Sequence, residues 1–434
     1  MGFLVKMAFK NLARHRRRTL VTASVIAFGL LTYILIDSFL MGMKEMSFNN
    51  IINLETGHLQ ITSDLYWEDR KELPLKNLIK FDEELEKIIE QTPNLIGMAP
   101  RIKFKANLNN GIDELPITAI GVNPEKEGEV FKIKDNFVEG TNLKMGQYQA
   151  VLGKSLAELM DFRVGDYLTL IFKARTGSFN TIEAMITGIL DSEHPEINNS
   201  NVFVPLDIAD QALNLNGEVS EIVVRVVNNN SVENSKESLT ALLAADDVEI
   251  NNAGLSSAKS NDVESNKPEY IVKSWKESAE GVIAMTKVGD IENQIIISLI
   301  LIMAAIGIIN VIILSAIERL KETGMMKAMG MKESEIIFVY MMESVWIGLI
   351  GGFLGVLLGA ISVAYFVNYG IDMTMFGIMD MNYGIPIVNV IYGSWNPGAF
   401  IFVFFFGAIV ALFSSILPAR WAARKDPIDA IYQR

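Results

Sequence analysis

Four stretches of this chain are nearly free of charge and each is long enough to cross a lipid bilayer: residues 19–42, 295–317, 345–367 and 399–419, with Asp37 the only charged side chain among them. A helix of about 20 apolar residues spans the roughly 30 Å hydrocarbon core, so the pattern predicts four membrane helices. The rest of the chain must then carry the charge. Of the 434 residues, 38 are Lys or Arg and 51 are Asp or Glu, a net charge of -13 beside a positive mean hydropathy of +0.28. Residues 44–287 hold 24 of the basic and 39 of the acidic side chains, so the acidity is concentrated between the first and second apolar stretches. No basic face is concentrated enough to neutralise a phosphate backbone, which argues against nucleic acid as a partner. The chain contains no cysteine, which excludes disulfides, thiol nucleophiles and thiolate metal sites.

Six basic residues, Lys6, Lys10, Arg14, Arg16, Arg17 and Arg18, precede the first stretch. Its apolar run is longer than that of a cleavable signal peptide, so a retained anchor is expected. Short segments rich in Lys and Arg stay on the cytoplasmic side. The N-terminus qualifies, as do Arg319, Lys321, Lys327 and Lys332 after the second stretch and Arg420, Arg424, Lys425 and Arg434 at the end, whereas the segment between the third and fourth has none. Both termini are therefore expected in the cytoplasm of an inner, or plasma, membrane, with residues 44–287 outside. Leu4, Val5, Ala8, Phe9 and Leu12 can share one helical face, which suggests a helix lying in the headgroup region. A disordered basic tail is the alternative.

The expected fold class is membrane α-helical, with four transmembrane helices and a large extracytoplasmic α+β domain inserted between helices 1 and 2. Strand-like runs fall at 58–62, 102–108, 115–122, 167–173, 182–190, 201–205 and 222–227, and helical patterns at 82–91, 155–160, 207–215 and 232–245. They fit one region or two subdomains, with linker candidates at 228–230 and 256–267. From Tyr270 an amphipathic helical pattern is expected to lead into the second span, and residues 43–54 to prolong the first outward. The resulting map is 1–18 amphipathic helix, 19–43 first span, 44–289 outer domain, 290–317 second span, 318–335 cytoplasmic connection, 341–368 third span, 369–397 outer loop, 398–419 fourth span and 420–434 tail.

No catalytic constellation stands out. Gly153, Lys154 and Ser155 resemble the end of a phosphate-binding loop, but Tyr148 occupies the position where its first glycine belongs. His15, His58 and His194 are far apart and form no metal-binding spacing. The more specific signal follows the second span. There the chain continues into a charged helix through Glu318, Arg319, Lys321 and Glu322, is expected to break at Gly324, and runs through Met325, Met326, Lys327, Ala328 and Met329 to a stop at Gly330. Flexible Met side chains suit a knob that repacks against a moving groove. A plain helix lying on lipid is equally consistent. In the spans, Asn310 is the one strongly polar mid-span residue, expected to hydrogen-bond across helices. Gly351, Gly355 and Gly359 recur every four residues, as do Gly348 and Gly352, a spacing that lets helices approach closely, either within the bundle or between copies.

The run from Gly307 to Gly330 resembles the pattern after the second span in the MacB/FtsX-like superfamily of ABC transporter permeases. Three other places are similar: Ala8-Phe9-Lys10-Asn11-Leu12-Ala13-Arg14 before the first span, Glu343-Ser344 opening a Gly-rich third span, and the closing run from Leu417-Pro418-Ala419-Arg420-Trp421 through Asp426-Pro427-Ile428-Asp429-Ala430. Within the outer domain, Gly57-His58-Leu59-Gln60-Ile61 and the 151–166 region resemble lipoprotein-releasing permeases and MacB-type exporters, while Glu318, Arg319 and Glu322 are closer to the MacB type. The resemblance implies a non-catalytic subunit whose coupling segment, Glu318, Arg319, Glu322, Gly324, Met325, Met326, Lys327, Ala328 and Gly330, docks into a separate cytosolic ABC ATPase dimer. That partner binds ATP and Mg, and this chain holds no cofactor. It also implies a second permease copy or paralogue, contact with membrane lipid, and room for a periplasmic chaperone or adaptor. Two functions stay open under it: release or export of lipoproteins or other amphiphiles by mechanotransmission, and an FtsX-like regulator that activates a cell-wall hydrolase or relays a signal.

Overall fold

The computed structural model describes residues 2–14, 16–192, 194–254, 270–372 and 390–426. The linker candidate at 256–267, most of the third-to-fourth connection and the end of the closing run lie outside them. The chain divides into two compact units, one of residues 1–46, 285–380 and 389–434 and one of residues 47–284 and 381–388.

The second unit is built on one ten-stranded sheet. Its strands are β1 (Leu59–Ser63), β2 (Leu95–Asn109), β3 (Glu114–Val122), β4 (Phe137–Gly140), β5 (Gln149–Gly153), β6 (Tyr167–Lys173), β7 (Phe179–Leu190), β8 (Asn201–Pro205), β9 (Glu221–Val226) and β10 (Tyr270–Ser274). They run in the order β10-β1-β9-β2-β3-β8-β5-β7-β4, with β6 bridging β2 and β7. The alternation that betrays a half-buried strand is plain in β2, where Ile102, Phe104, Ala106 and Leu108 are buried while Lys105 and Asn107 are exposed. The β2–β3 register is set at the hairpin: Gly111 adopts φ +89°, and the Asn110 Oδ1 accepts from the backbone N–H of Ile112 and Asp113 at 2.9 and 2.7 Å. All five residues of β8, which runs parallel to β3, are buried, as a central strand requires.

Each of the seven expected strands is present, all on this single sheet. Two short ones, β4 and β5, have no counterpart in the sequence reading. A further difference concerns Tyr270. Residues Tyr270–Ser274 are an edge strand paired antiparallel with β1, and helix begins only beyond Ser274. Glu277 caps that start, accepting from the Ser274 backbone N–H at 2.8 Å. Burial opposes its charge, but hydrogen bonds from Lys236 and Ser274 draw the Glu277 carboxyl down to about 2. The alternation of Val272 and Ser274 toward the core is a strand period, and it overrides the helical pattern that follows.

The first unit holds a helix at Gly2–Arg14 and four helices long and apolar enough to cross a membrane. Those four candidates correspond to the helices Arg16–Ile51, Glu280–Glu318, Glu333–Tyr369 and Pro397–Arg424, here called the first to fourth long helices. Their shared core includes Ile26, Leu30, Ile34, Ile312, Ile347 and Val403. The glycines of the third helix set how closely its neighbours approach. A Cβ at Gly351 would meet the Ile26 Cβ at 2.8 Å, one at Gly355 the Ala27 carbonyl oxygen at 3.1 Å, and one at Gly359 the Ile34 Cδ1 at 2.7 Å, all on the first helix. Gly348 and Gly352 face the fourth helix, against Ala408 and Phe404. Both glycine stripes therefore face neighbours inside the bundle.

Candidate functional site

The connection between the second and third long helices is a short helix, Leu320–Ala328, and the break that precedes it is at Arg319. The expected break at Gly324 is not there: Gly324 lies buried in the middle of the short helix. The cause is electrostatic. Arg319, only 4% exposed, turns its guanidinium onto the buried Glu343 of the third helix and also donates through Nε to Glu322 at 2.7 Å. Burial opposes the charge on Arg319, and the Glu343 carboxylate overcomes that and holds the guanidinium above its ordinary range. A pair this buried is stable only when its remaining donors are satisfied, and leaving the helix path lets the side chain reach both carboxylates.

Two further links fasten the short helix. The Thr323 hydroxyl shares a hydrogen bond of 2.5 Å with the Tyr340 hydroxyl of the third helix. The Lys327 ammonium donates to the backbone oxygens of Ala423 at 2.9 Å and Lys425 at 3.2 Å, and pairs with Glu333 at 3.1 Å. Those oxygens belong to the end of the fourth helix, where carbonyls lack helical donors and the dipole favours a cation. Met326 completes the attachment, packing with Ala316, Ile336, Tyr340, Ala419 and Ala423. Gly330, at φ +91°, ends the segment with a conformation that favours glycine.

The opposite side of the short helix is bare. Met325 is 51% and Met329 77% exposed, one helical turn apart, and Lys321, Ala328 and Glu318 are exposed too. The motif expected to act as one docking element thus has two sides. Arg319, Gly324, Met326 and Lys327 face the bundle, Glu322 is half-buried against Arg319, and Met325, Ala328, Gly330 and Glu318 are outside. Sequence reasoning missed Thr323, Tyr340 and the role of Glu343, since no local spacing links a helix to residues 17 to 24 positions away.

Asn310 also differs from expectation. It is exposed and has no hydrogen-bond partner among the described residues, on a helix whose most apolar window is only 11% buried. In the inserted domain, Lys154 pairs with Asp191 at 3.0 Å and the Ser155 hydroxyl accepts from Asn198 at 3.1 Å, so both polar groups of the loop-like motif are engaged with protein. Burial and the nearby Arg225 push the His58 imidazole down to about 4, and His194 meets Glu55 at 3.0 Å. Among the described residues no cluster of His, Asp and Glu has the geometry to hold a metal ion.

Comparison with known proteins covers both units. Residues 19–242 match the model of the MacB-like periplasmic core domain, and residues 294–427 that of the FtsX-like permease C-terminal. The macrolide export ATP-binding/permease protein MacB of Agrobacterium fabrum is 21% identical over 98% of this chain and 60% of its own length. An uncharacterized ABC transporter permease of Methanocaldococcus jannaschii is 23% identical over 99% of this chain and 97% of its own. The crystal structure of the periplasmic region of MacB from Actinobacillus actinomycetemcomitans aligns with 55% of this chain and 97% of its own at 14% identity and a TM-score of 0.36. The chain thus spans about 60% of the length of the MacB relatives it matches.

Proposed function

Because the chain belongs to the MacB-like and FtsX-like family of ABC transporter permeases, we propose that it is the membrane subunit of a mechanotransmitting transporter driven by a separate cytosolic ATPase dimer, which binds the ATP and Mg. The observation that carries this reading is the two-sided short helix. One side is tied to the third and fourth long helices by Arg319, Thr323 and Lys327, and the other presents Met325 and Met329 to solvent. A push on the two methionines would reach those helices through charged and hydrogen-bonded contacts that do not slide, while the single-residue break at Arg319 frees the second helix to change its angle. Met side chains suit a groove that changes shape through a nucleotide cycle.

The long helices favour mechanical work over conduction. The four spanning windows are nearly devoid of ionisable groups, which paths for polar solutes normally contain. This favours an amphiphile, such as a lipoprotein, as the proposed substrate, expelled from the outer side, with both termini in the cytoplasm. A second copy of the chain lies against the exposed face of the second long helix, where Asn310 gains the partner that it lacks.

Co-expression with the ABC ATPase of the same organism tests the reading. Met325→Asp and Met329→Asp should each abolish copurification while the inserted domain stays folded by circular dichroism, and normal copurification of both would refute the assignment. Gly324 is not a suitable probe, since it is buried. In ATP-energised proteoliposomes, release of lipoprotein supports the transporter reading. Turnover that leaves the substrate in place while a periplasmic hydrolase gains activity would replace it with the regulatory one.

A further inference from the structure

The sheet of the inserted domain has a second buried face. Alternation sends Ile61 of β1, Ile222 of β9 and Ile102 of β2 into the hydrophobic core, and the pairing register leaves Gln60, Thr62, Glu221 and Lys103 on the other side. An antiparallel sheet commonly leaves that side to water, yet Gln60, Thr62 and Glu221 are all buried, Gln60 at 5% exposure. A cavity of about 140 Å³ lies over them, closed by Tyr66, Trp67 and Arg70 from the helical segment after β1, by Glu55 and Thr56, and by Ser278. Thr56 comes five residues after the first long helix and Ser278 two before the second, so both ends of the domain meet in this cavity. Leu73 also lines it, at φ +49°, a conformation that leucine rarely adopts and that gathers at ligand sites.

The lining carries Glu55 and Glu221 against Arg70 and Lys103, which balances, but two of the four charges are only partly used. Lys103 pairs with Glu221 at 2.7 Å. Arg70 lies over the Trp67 ring, 4.0 Å from its centroid, and gives one N–H to the Trp67 backbone oxygen at 2.9 Å; among the described residues no carboxylate pairs with it. Glu55 meets His194 through Oε2 at 3.0 Å, and its Oε1 has no partner among the described residues. The Gln60 Oε1 accepts from the Ser278 hydroxyl at 2.6 Å, which leaves the Gln60 Nε2 donors unused. We propose that the cavity binds a small zwitterionic amino acid, its carboxylate on Arg70 and Gln60 and its ammonium on Glu55. Guanidinium matches a carboxylate with two parallel donors. The Trp67 ring, which would draw a quaternary ammonium, already carries Arg70 and Lys273, so the cation is one that donates hydrogen bonds. The volume is about tenfold what a single water needs and below the roughly 300 Å³ at which drug-sized sites begin, which limits the ligand to a short side chain. An occupant would brace the two ends of the domain against each other.

The test is binding of radiolabelled L-alanine to the full chain in detergent, with three competitors: propionate, which lacks the ammonium, ethylamine, which lacks the carboxylate, and L-tryptophan, which exceeds the cavity. L-Alanine should bind saturably and at least about tenfold more tightly than each competitor, the step expected for one charged hydrogen-bonded contact. Arg70→Gln should lower L-alanine affinity about tenfold and leave ethylamine unchanged, whereas Glu55→Gln should lower it about tenfold and leave propionate unchanged. Those opposite patterns separate a lost contact from a lost fold. Lys76→Gln removes an exposed charge beside Asp69, outside the cavity, and should change affinity less than about twofold. Equal loss from Lys76→Gln would reduce the effect to surface charge. No saturable binding at millimolar concentrations would leave a cavity that holds only water, equal binding of propionate or ethylamine would remove the zwitterion, and equal binding of L-tryptophan would place the ligand elsewhere; each overturns the proposal.

Discussion

The second and third long helices are nearly equal in length, 39 and 37 residues, and both are strongly apolar, yet the most apolar window of one is 11% buried and that of the other 39%. Apolarity does not separate them; the second is the more hydrophobic of the two. In lipid there is no hydrophobic gain from bringing apolar helices together, so packing depends on how closely backbones approach and on which polar groups find partners. The third helix has five glycines against its neighbours and buries Glu343 against Arg319. The second has Gly307, where an added Cβ would meet no neighbouring element within 4 Å, and the exposed Asn310. One helix is a fixed member of the bundle, and the other is held on one side and open on the rest. That asymmetry would give the proposed lever between them something to move.

The largest expected effect is on the fixed side. Glu343→Ala leaves the Arg319 guanidinium buried without its main partner and should cost about 3–5 kcal/mol of bundle stability, measured by unfolding of the full chain in detergent. A cost below about 1 kcal/mol would show that water already reaches the pair. Next come the glycines. Gly351→Leu forces a side chain into Ile26 and should destabilise by about 1–3 kcal/mol, whereas Gly307→Leu on the open helix should stay within about 0.5 kcal/mol. Equal effects would erase the contrast between the two helices. Asn310→Leu should leave unfolding of the chain unchanged but weaken self-association in liposomes by roughly 0.6–2 kcal/mol, read by energy transfer between labelled copies. The smallest effect belongs to Lys44 and Asp290, an ion pair of 2.7 Å that joins the first and second helices where both side chains are over a third exposed. Lys44→Ala should cost no more than about 1 kcal/mol and less at high salt. A larger loss would mean that the second helix is anchored more firmly than its burial indicates.

Much of this was legible in the sequence. Charge-free length gave the four long helices, β-rich runs gave strands such as β2 and β6, and four-residue glycine spacing gave the packing face of the third helix. Other features were hidden for physical reasons. β4 is only four residues long, too short for a period to register. The break at Arg319 depends on a carboxylate 24 residues further on, and the inward turn of Lys327 on carbonyls nearly a hundred residues away. Gly324 looked like a helix breaker because glycine lowers helix propensity, but its buried position in the short helix shows that packing decided the matter. The motif was visible as a string, whereas its division into a fastened side and a bare side appears only once the third and fourth helices are in place.

The lever itself can be tested directly because the chain has no cysteine, so any single introduced thiol reports alone. With Met329→Cys and a thiol-reactive crosslinker, the account predicts an adduct with the ATPase whose yield changes between ATP-bound and nucleotide-free states, while Leu417→Cys, exposed on the fourth helix, gives none. No adduct at residue 329 in any nucleotide state, from a complex that still hydrolyses ATP, would contradict it.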